Sequence, residues 1–213
     1  SASARYIGLD VENRLRQLYR EFPVDRVMVT SAFAATSAYL LHLIHRVAPD
    51  QKIFFIDTGY HFPETLAYKE NLTQLYGLTV VDVRAEAWKH AFTLNNRTWQ
   101  TDPDFCCSIN KVEPLEALKK DYVVWVSGLM RWQTDHRDAL DLFEERNGIH
   151  KFYPLLDVTR EDRDRYIREH DLPFHPLVAK GYASIGCAQC TQPGQDRSGR
   201  WNNSPKTECG LHL

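Results

Sequence analysis

Several common sequence features are missing from this chain of 213 residues. It has no apolar run long enough to cross a membrane, and no basic N-terminal region followed by an apolar core, so we expect no secretion signal. Positive charge is not in excess, since 26 Lys and Arg against 28 Asp and Glu give a formal net charge of −2. These absences predict a cytoplasmic protein that binds neither a membrane nor nucleic acid.

Cysteines are few, and a glycine-rich phosphate loop is missing. No G-x-x-x-x-G-K-[ST] pattern occurs, which excludes a Walker-type nucleotide site. The nine histidines show no H-E-x-x-H or His-Asp-Ser order, so most are expected on the surface or satisfied in the core. Five cysteines without a secretion signal indicate metal binding or catalysis more than a disulfide framework.

Strand-like and helix-like segments alternate along the front two-thirds of the chain. Apolar runs predict strands at 26–30, 52–57, 78–83 and 122–126, and periodic or capped segments predict helices at 9–22, 37–47, 63–76, 109–119 and from Thr159 to about His170. The stretch from Asn95 to Phe105 is predicted to be irregular. This alternation predicts an α/β fold, with a mostly parallel sheet covered by helices on both faces and an irregular C-terminal tail. We expect a single domain over 1–213, with its core at about 24–178.

The carboxyl ends of parallel strands are the expected place for a ligand. After the first strand, Thr30, Ser31 and Ser37 offer hydroxyl groups near a helix start, where anions bind. A plain strand-to-helix connection capped by Ser37 is equally compatible with these residues. Asp57, at the end of the second strand, is either a ligand-facing carboxylate or part of a turn.

Four cysteines form two pairs, Cys106-Cys107 and Cys187-x-x-Cys190. Sets of four thiolates bind zinc or iron–sulfur clusters. Two adjacent side chains reach a larger, multi-atom cluster more easily than a single tetrahedral ion, which favours the cluster over zinc. Separate pairs of buried thiols stay open as the alternative.

The fifth cysteine, Cys209, lies among the last five residues of the given sequence. A thiol in such a position is expected to be exposed, and Lys206 and His212, three residues to either side, favour its reactive thiolate. Arginine forks recognise phosphate and sulfate, although each basic residue taken alone is more typical of a solvated surface. The basic candidates for an anion site are Lys111, Arg131, Arg137, Arg197 and Arg200.

Taken together, the motifs make the chain resemble the assimilatory adenylyl-sulfate (APS) and phosphoadenylyl-sulfate (PAPS) reductases, over about Val27 to Leu213. The motifs are DTGYHFPET at 57–65, CCSINKVEPL at 106–115, SGLMR at 127–131, CAQC at 187–190 and KTECGLH at 206–212. The resemblance implies an adenine-nucleotide α-hydrolase-like fold, with a cluster loop and a mobile catalytic tail at about 179–213.

By this resemblance, the Cys209 thiolate attacks the sulfur of APS and AMP leaves. A thiol of thioredoxin or glutaredoxin then releases sulfite, and the tail closes over the substrate and opens for the donor. A [4Fe-4S] cluster is implied on Cys106, Cys107, Cys187 and Cys190. Lys111 is implied to lie between cluster and substrate, and the residues implied to hold the phosphosulfate are Arg131, Arg197, Arg200 and His212.

Several alternatives stay open at this point. The cysteine pairs favour APS, but a PAPS-specific or dual-substrate enzyme is the alternative, because no basic group can be assigned to the 3′-oxygen. Ala34 and Ala35 stand where the family usually carries glycine in its phosphate loop, and alanine disfavours positive φ.

An ATP-dependent ligase or tRNA-thiolation enzyme would need a Ser-Gly-Gly-x-Asp-Ser loop, which is missing. A zinc-stabilised binding module without catalysis is more remote, and a homo-oligomer is compatible with the sequence.

Overall fold

The computed structural model describes residues 1–35 and 37–213, and a mixed sheet forms the centre of this part of the chain. Its strands are β1 (Val27–Thr30), β2 (Lys52–Ile56), β3 (Thr79–Val83), β4 (Val124–Val126), β5 (Phe143–Arg146) and β6 (Ile149–Phe152). They lie in the order β3-β2-β1-β4-β6-β5. Only the β5–β6 pair of this sheet is antiparallel, so the α/β fold with a mostly parallel sheet is confirmed.

Helices connect and cover these strands. They are α1 (Ala4–Ile7), α2 (Val11–Glu21), α3 (Ser37–Val47), α4 (Pro63–Tyr76), α5 (Ala87–Asn95), α6 (Thr98–Thr101), α7 (Pro103–Cys107), α8 (Glu113–Lys119), α9 (Asp135–Asp138) and α10 (Arg160–Glu169). A π-helical turn, Ser108–Val112, joins α7 to α8. Thr159 caps α10, as the sequence predicts, because its side chain accepts a hydrogen bond from the Asp162 amide.

The strands place alternate residues on the two faces of the sheet. Val27 and Val29 pack into the larger core cluster with α2, α3 and α4, whereas Met28 points to a smaller cluster that also contains Trp125 and Leu115 of α8. Helices therefore cover both faces, in agreement with the sequence prediction. The larger core also contains Tyr6, Leu15 and Leu18, which precede the expected start of the core at about residue 24.

One local prediction is wrong, and two features of the fold were not predicted. The antiparallel hairpin of β5 and β6 was not expected, because each strand has only four residues and β6 buries Lys151 where an apolar side chain would mark a strand. Helix α5 was also not expected. The stretch from Asn95 to Phe105 is mostly helical in α6 and α7, which are too short for a periodic signal.

The parallel strands β2, β1 and β4 are neighbours, so their carboxyl ends meet at one edge of the sheet. The loops that leave this edge are therefore brought together. Among the described residues, no helix combines the length and the apolar character needed to cross a membrane.

Candidate active site

A cavity of about 950 Å³ opens at the carboxyl edge of the sheet. The loops after β1, β2 and β4 contribute to its wall, and Leu40, Leu129 and Leu155 give it an apolar part. Its size is within the range of pockets that bind small molecules and cofactors. The strand-end rule thus indicated the correct edge for a cavity that is large enough for a nucleotide.

The loop after β1 lines this cavity with Thr30, Ser31 and Ser37. Two of the hydroxyl groups also fold the loop on itself, since Ser31 Oγ accepts from the Phe33 amide at 3.2 Å and Ser37 Oγ from the Ala34 amide at 2.9 Å. Thr30 Oγ1 accepts from Trp125 Nε1 at 2.8 Å. Within the predicted 30–37 loop, residue 36 lies outside the described residues. The loop has its positive φ, 46°, at the buried Phe33.

The paired cysteines line a second, smaller cavity next to the first. All four of Cys106, Cys107, Cys187 and Cys190 contribute to its wall, and none is in a disulfide. Asp102 caps α7 by accepting from the Phe105 amide, which places the adjacent thiols at the end of that helix. The opposite pair is fixed by the hydrogen bond from the Ala188 amide to Tyr60 O at 2.7 Å.

Polar groups surround these four thiols. Thr58 Oγ1 lies 3.3 Å from Cys187 Sγ, and Asn110 Nδ2 lies 3.7 Å from Cys106 Sγ. Burial and the neighbouring thiols raise the pKa of Cys106 to about 12 and that of Cys190 to about 11. Simultaneous ionisation of these thiols would therefore need positive charge close to them. Within the described residues, no group of three or more His, Cys, Asp or Glu side chains is arranged around a single metal ion.

Cys209 is not on a frayed end, contrary to the sequence expectation. Its neighbours Glu208 and His212 are buried, and Cys209 itself is half-buried and lines the large cavity. The chain turns directly after the thiol at Gly210, whose φ of +98° favours glycine. A Cβ atom at Gly210 would also lie 3.3 Å from Val112 Cγ2 in the π-helical turn. The tail is thus packed against the segment that follows the first cysteine pair.

The cations that act on Cys209 come from other segments of the sequence. Burial opposes its ionisation, but Lys111, the Leu211 amide and Arg200 together hold the pKa of Cys209 below its ordinary value. Lys111 lines both cavities, and its own pKa is raised, against the effect of burial, by the thiolates of Cys187, Cys209 and Cys107. The thiolate is thus favoured next to a cation shared with the paired cysteines.

The two sequence neighbours expected to favour this thiolate do not act that way. Lys206 donates to Asp104 at the start of α7. His212 stacks on Trp125 with ring centroids 4.7 Å apart. Burial, followed by the nearby cations Arg137 and Lys151, holds the pKa of His212 well below its ordinary value. His212 is therefore an uncharged part of the cavity wall at neutral pH.

The predicted arginines separate into two groups. Arg137, Arg197 and Arg200 line the large cavity. Arg197 donates from Nη2 to Thr207 O at 2.7 Å, and Arg200 donates from Nη1 to Ser184 Oγ at 3.1 Å. A Cβ atom at Gly186 would overlap the Arg200 guanidinium, so a larger residue there would displace that side chain.

Two further candidate residues, Arg131 and Asp57, do not line the cavity. Arg131 donates from Nη1 to the carbonyl of Leu140 at 3.2 Å. The carboxylate of Asp57 accepts from the Gly59 amide at 2.9 Å and pairs with Arg84 at 2.7 Å. Both side chains thus hold the backbone near the site, and their assignment to substrate stays a prediction.

The sequence reasoning missed several residues of the site. The tail is joined to the loop after β4 by contacts that involve Glu208, Thr134 and Gln133. In addition, Trp201 lines the cysteine cavity, and its buried Nε1 has no partner among the described residues. The adjacency of Glu208 and Cys209 in the sequence could have predicted an ion pair, because a carboxylate next to a reactive thiol needs a cation. Its partner Arg137, however, is 71 residues away in the chain.

Known proteins match this chain over most of its length. The family model described as the phosphoadenosine phosphosulfate reductase domain matches residues 26–193. An adenosine 5′-phosphosulfate reductase of Mesorhizobium japonicum is 40% identical over 209 residues, which cover 95% of this chain and 81% of the relative. A phosphoadenosine 5′-phosphosulfate reductase of Gloeobacter violaceus is 39% identical over 199 residues, 88% of this chain and 83% of the relative.

Solved structures agree with these matches. The crystal structure of a phosphoadenylyl-sulfate reductase from Candida auris, a phosphate complex, has a TM-score of 0.77 at 26% identity and covers 89% of this chain and 94% of its own. An FMN adenylyltransferase of Candida glabrata has a TM-score of 0.61 at 14% identity, over 87% of this chain and 65% of its own, and shares the fold alone.

Proposed function

The chain belongs to the phosphoadenosine phosphosulfate reductase family, and from this membership we propose that it reduces APS to sulfite and AMP, with a dithiol protein as electron donor, in sulfate assimilation. The observation that carries the proposal is the position of Cys209. Its thiol lines a nucleotide-sized cavity, next to Lys111 and Arg200, which lower its pKa. A reduced, cytoplasmic setting suits a protein whose five cysteines are all free thiols.

The first step is a transfer of the sulfonate group to the enzyme. The Cys209 thiolate attacks the sulfur of APS, a sulfur–sulfur bond forms, and the bond from that sulfur to the bridging oxygen breaks. AMP leaves with the electron pair of the broken bond. Lys111, Arg197 and Arg200 supply positive charge near the thiol, where the phosphosulfate oxygens must lie.

The second step consumes a dithiol. A thiolate of thioredoxin or glutaredoxin attacks the Cys209 sulfur, and sulfite leaves with the electron pair of the sulfur–sulfur bond. The second thiol of the donor then resolves the mixed disulfide and restores Cys209. The donor is oxidised by two electrons and the sulfate sulfur is reduced by two, so the reaction balances.

We further propose that Cys106, Cys107, Cys187 and Cys190 hold a [4Fe-4S] cluster. All four thiols line one cavity. Burial and the neighbouring thiols raise the pKa values of Cys106 and Cys190, and a metal cluster between the thiols would relieve this. Thr58 Oγ1 lies within hydrogen-bond distance of Cys187 Sγ, and the unpartnered Trp201 Nε1 belongs to a residue of the same cavity wall. When bound, the cluster would supply a charged centre beside Lys111, and no electron from it is needed because the dithiol balances the reduction.

A PAPS or dual-substrate enzyme is the second candidate. The relative from Gloeobacter violaceus carries the PAPS reductase name. Three arginines of α10, Arg160, Arg163 and Arg168, line the same cavity and offer the positive charge that a 3′-phosphate needs. Asp164 and Asp196 also line it and offset part of this charge.

The test is anaerobic sulfite release with reduced thioredoxin, in which kcat/KM is compared for APS and PAPS. A strong preference for APS supports the leading proposal, and a preference for PAPS keeps the mechanism but changes the substrate. Cys209→Ser is expected to bind nucleotide as the parent does and to release no sulfite. Residual turnover by that variant would exclude Cys209 as the nucleophile.

A further inference from the structure

A buried ion pair joins the C-terminal tail to α9. Arg137 donates from Nε to Oε1 of Glu208 at 2.8 Å and from Nη2 to Oε2 at 2.9 Å. Thr134 Oγ1 donates to Glu208 Oε1 at 2.7 Å, and Arg137 Nη1 donates to Gln133 Oε1. We call Gln133, Thr134, Arg137 and Glu208 the tail latch.

The geometry of the tail latch leaves Arg137 little freedom. Its side chain is 9% exposed and that of Glu208 is 4% exposed. A two-point contact between a guanidinium and a carboxylate fixes their relative orientation as well as their distance. Because Nε, Nη1 and Nη2 are all engaged within the latch, the guanidinium is directed at Glu208 although it borders the cavity.

The same short segment holds the chain on both sides of the thiol. Glu208 directly precedes Cys209. On the other side, His136 Nε2 donates to the carbonyl of His212 at 2.7 Å. Residues 134–137 therefore contact the tail before and after Cys209, so the position of the thiol depends on α9 although no side chain of α9 needs to touch the sulfur.

We propose that the tail latch positions the Cys209 thiol for attack, and that Arg137 acts through Glu208 instead of binding the nucleotide. This inference rests on the proposed function, because it assigns a role within the sulfonate transfer. Release of the tail from α9 would require this ion pair to part.

The test compares Arg137→Gln, Glu208→Gln and the double variant, with Arg165→Gln, at an exposed position of α10, as control. Single-turnover formation of the Cys209 S-sulfonate should slow by about tenfold or more in each single variant, since small displacements of a nucleophile are costly. The double variant should be no slower than the slower single variant, because the two residues act as a unit. Arg165→Gln should match the parent protein.

We expect Arg137→Gln to slow S-sulfonate formation without changing the affinity for APS. A purely structural role would not separate these two quantities. In a Cys209→Ser background, the Kd for APS should be the same with and without Arg137→Gln. A weaker Kd would show that Arg137 binds the substrate and would overturn the inference, as would an unchanged rate of S-sulfonate formation in both single variants. If a single variant fails to fold because a buried charge is left unpaired, the double variant still supplies both measurements.

A third measurement does not depend on catalysis. Trypsin cleavage after Lys206 in the substrate-free protein should be faster in Glu208→Gln and Arg137→Gln than in the parent, since the tail is less firmly held. Unchanged cleavage would contradict the latch. Failure of the parent to turn over either nucleotide would instead refute the proposed function and leave this result standing.

Discussion

At the scale of single residues, the thiol of Cys209 depends on cations that are distant in sequence. Lys111 follows the first cysteine pair and Arg200 follows the second, and both lower the pKa of Cys209 against the effect of burial. Lys206 is engaged by Asp104. The cations that favour the thiolate thus come from the cysteine-bearing segments, and the tail itself contributes the hydrogen bond from the Leu211 amide.

Removal of the Lys111 charge should make Cys209 less acidic. In Lys111→Met, the midpoint of the pH profile for alkylation of Cys209 by iodoacetamide should move up by about one pH unit or more, since a close opposite charge lowers a pKa by about that amount. Peptide mass spectrometry separates Cys209 from the other thiols. Lys120→Met, at the exposed end of α8, should leave the profile in place. An unmoved midpoint in Lys111→Met would mean that this lysine does not favour the thiolate.

At the scale of elements, His175 fastens the 3-10 turn Pro176–Lys180 to α4. The Leu177 amide donates to His175 Nδ1 at 3.1 Å, so Nε2 carries the proton and donates to Thr65 Oγ1 at 2.8 Å. This arrangement needs a neutral ring, and burial lowers the pKa of His175 to about 4. The contact therefore weakens when the ring gains a proton.

The sign of the resulting pH dependence follows from linkage. In the unfolded chain, His175 has the ordinary histidine pKa of about 6.5. Between about pH 6.5 and pH 4 the unfolded state therefore binds more protons than the folded state. The stabilisation is complete above this window and falls as the pH decreases through it, by up to about 3 kcal/mol. Urea unfolding at pH 7 and pH 5 should show a free-energy difference between parent and His175→Gln that shrinks at pH 5. A difference independent of pH would contradict this, and the exposed His170→Gln is the control.

At the scale of the whole molecule, the parts that the sequence predicts are those with local signals. The alternation of apolar runs and capped helices predicted β1 to β4, α3, α4 and α10, because each signal lies within its own element. Of the residues selected from the motifs, the four paired cysteines and Lys111 line the cavities, whereas Arg131 and Asp57 do not. Their roles stay predictions. The membership of the family is likewise confirmed.

The remaining features depend on contacts between distant segments. The tail is held by Arg137, 71 residues before Glu208, and the β5 edge by hydrogen bonds between Ser3 Oγ and the Phe143 backbone, 140 residues apart. No local pattern records such pairs. For the same reason the sequence placed Cys209 on an exposed end, although it is half-buried.

The N-terminal helices should contribute strongly to stability through Arg14. Its buried guanidinium donates to the carbonyls of Tyr6, Ile7 and Pro154 and pairs with Asp157 at 2.6 Å. Arg14→Met removes these hydrogen bonds together with the ion pair and should lower the free energy of unfolding in urea by about 3 kcal/mol. Arg16→Met removes only an exposed pair with Glu12 and should change it by less than about 1 kcal/mol. Equal effects would contradict the role assigned to Arg14.

The most direct test of the account is a single turnover without a donor. Anaerobic protein is mixed with APS labelled in its sulfur, and released AMP and protein-bound label are measured together. We predict that AMP appears in equal amount to the label, that the label lies on Cys209 as the S-sulfonate, and that Cys209→Ser forms neither. Label on another residue, or AMP release without label on Cys209, would contradict the claim that the tail thiol accepts the sulfonate.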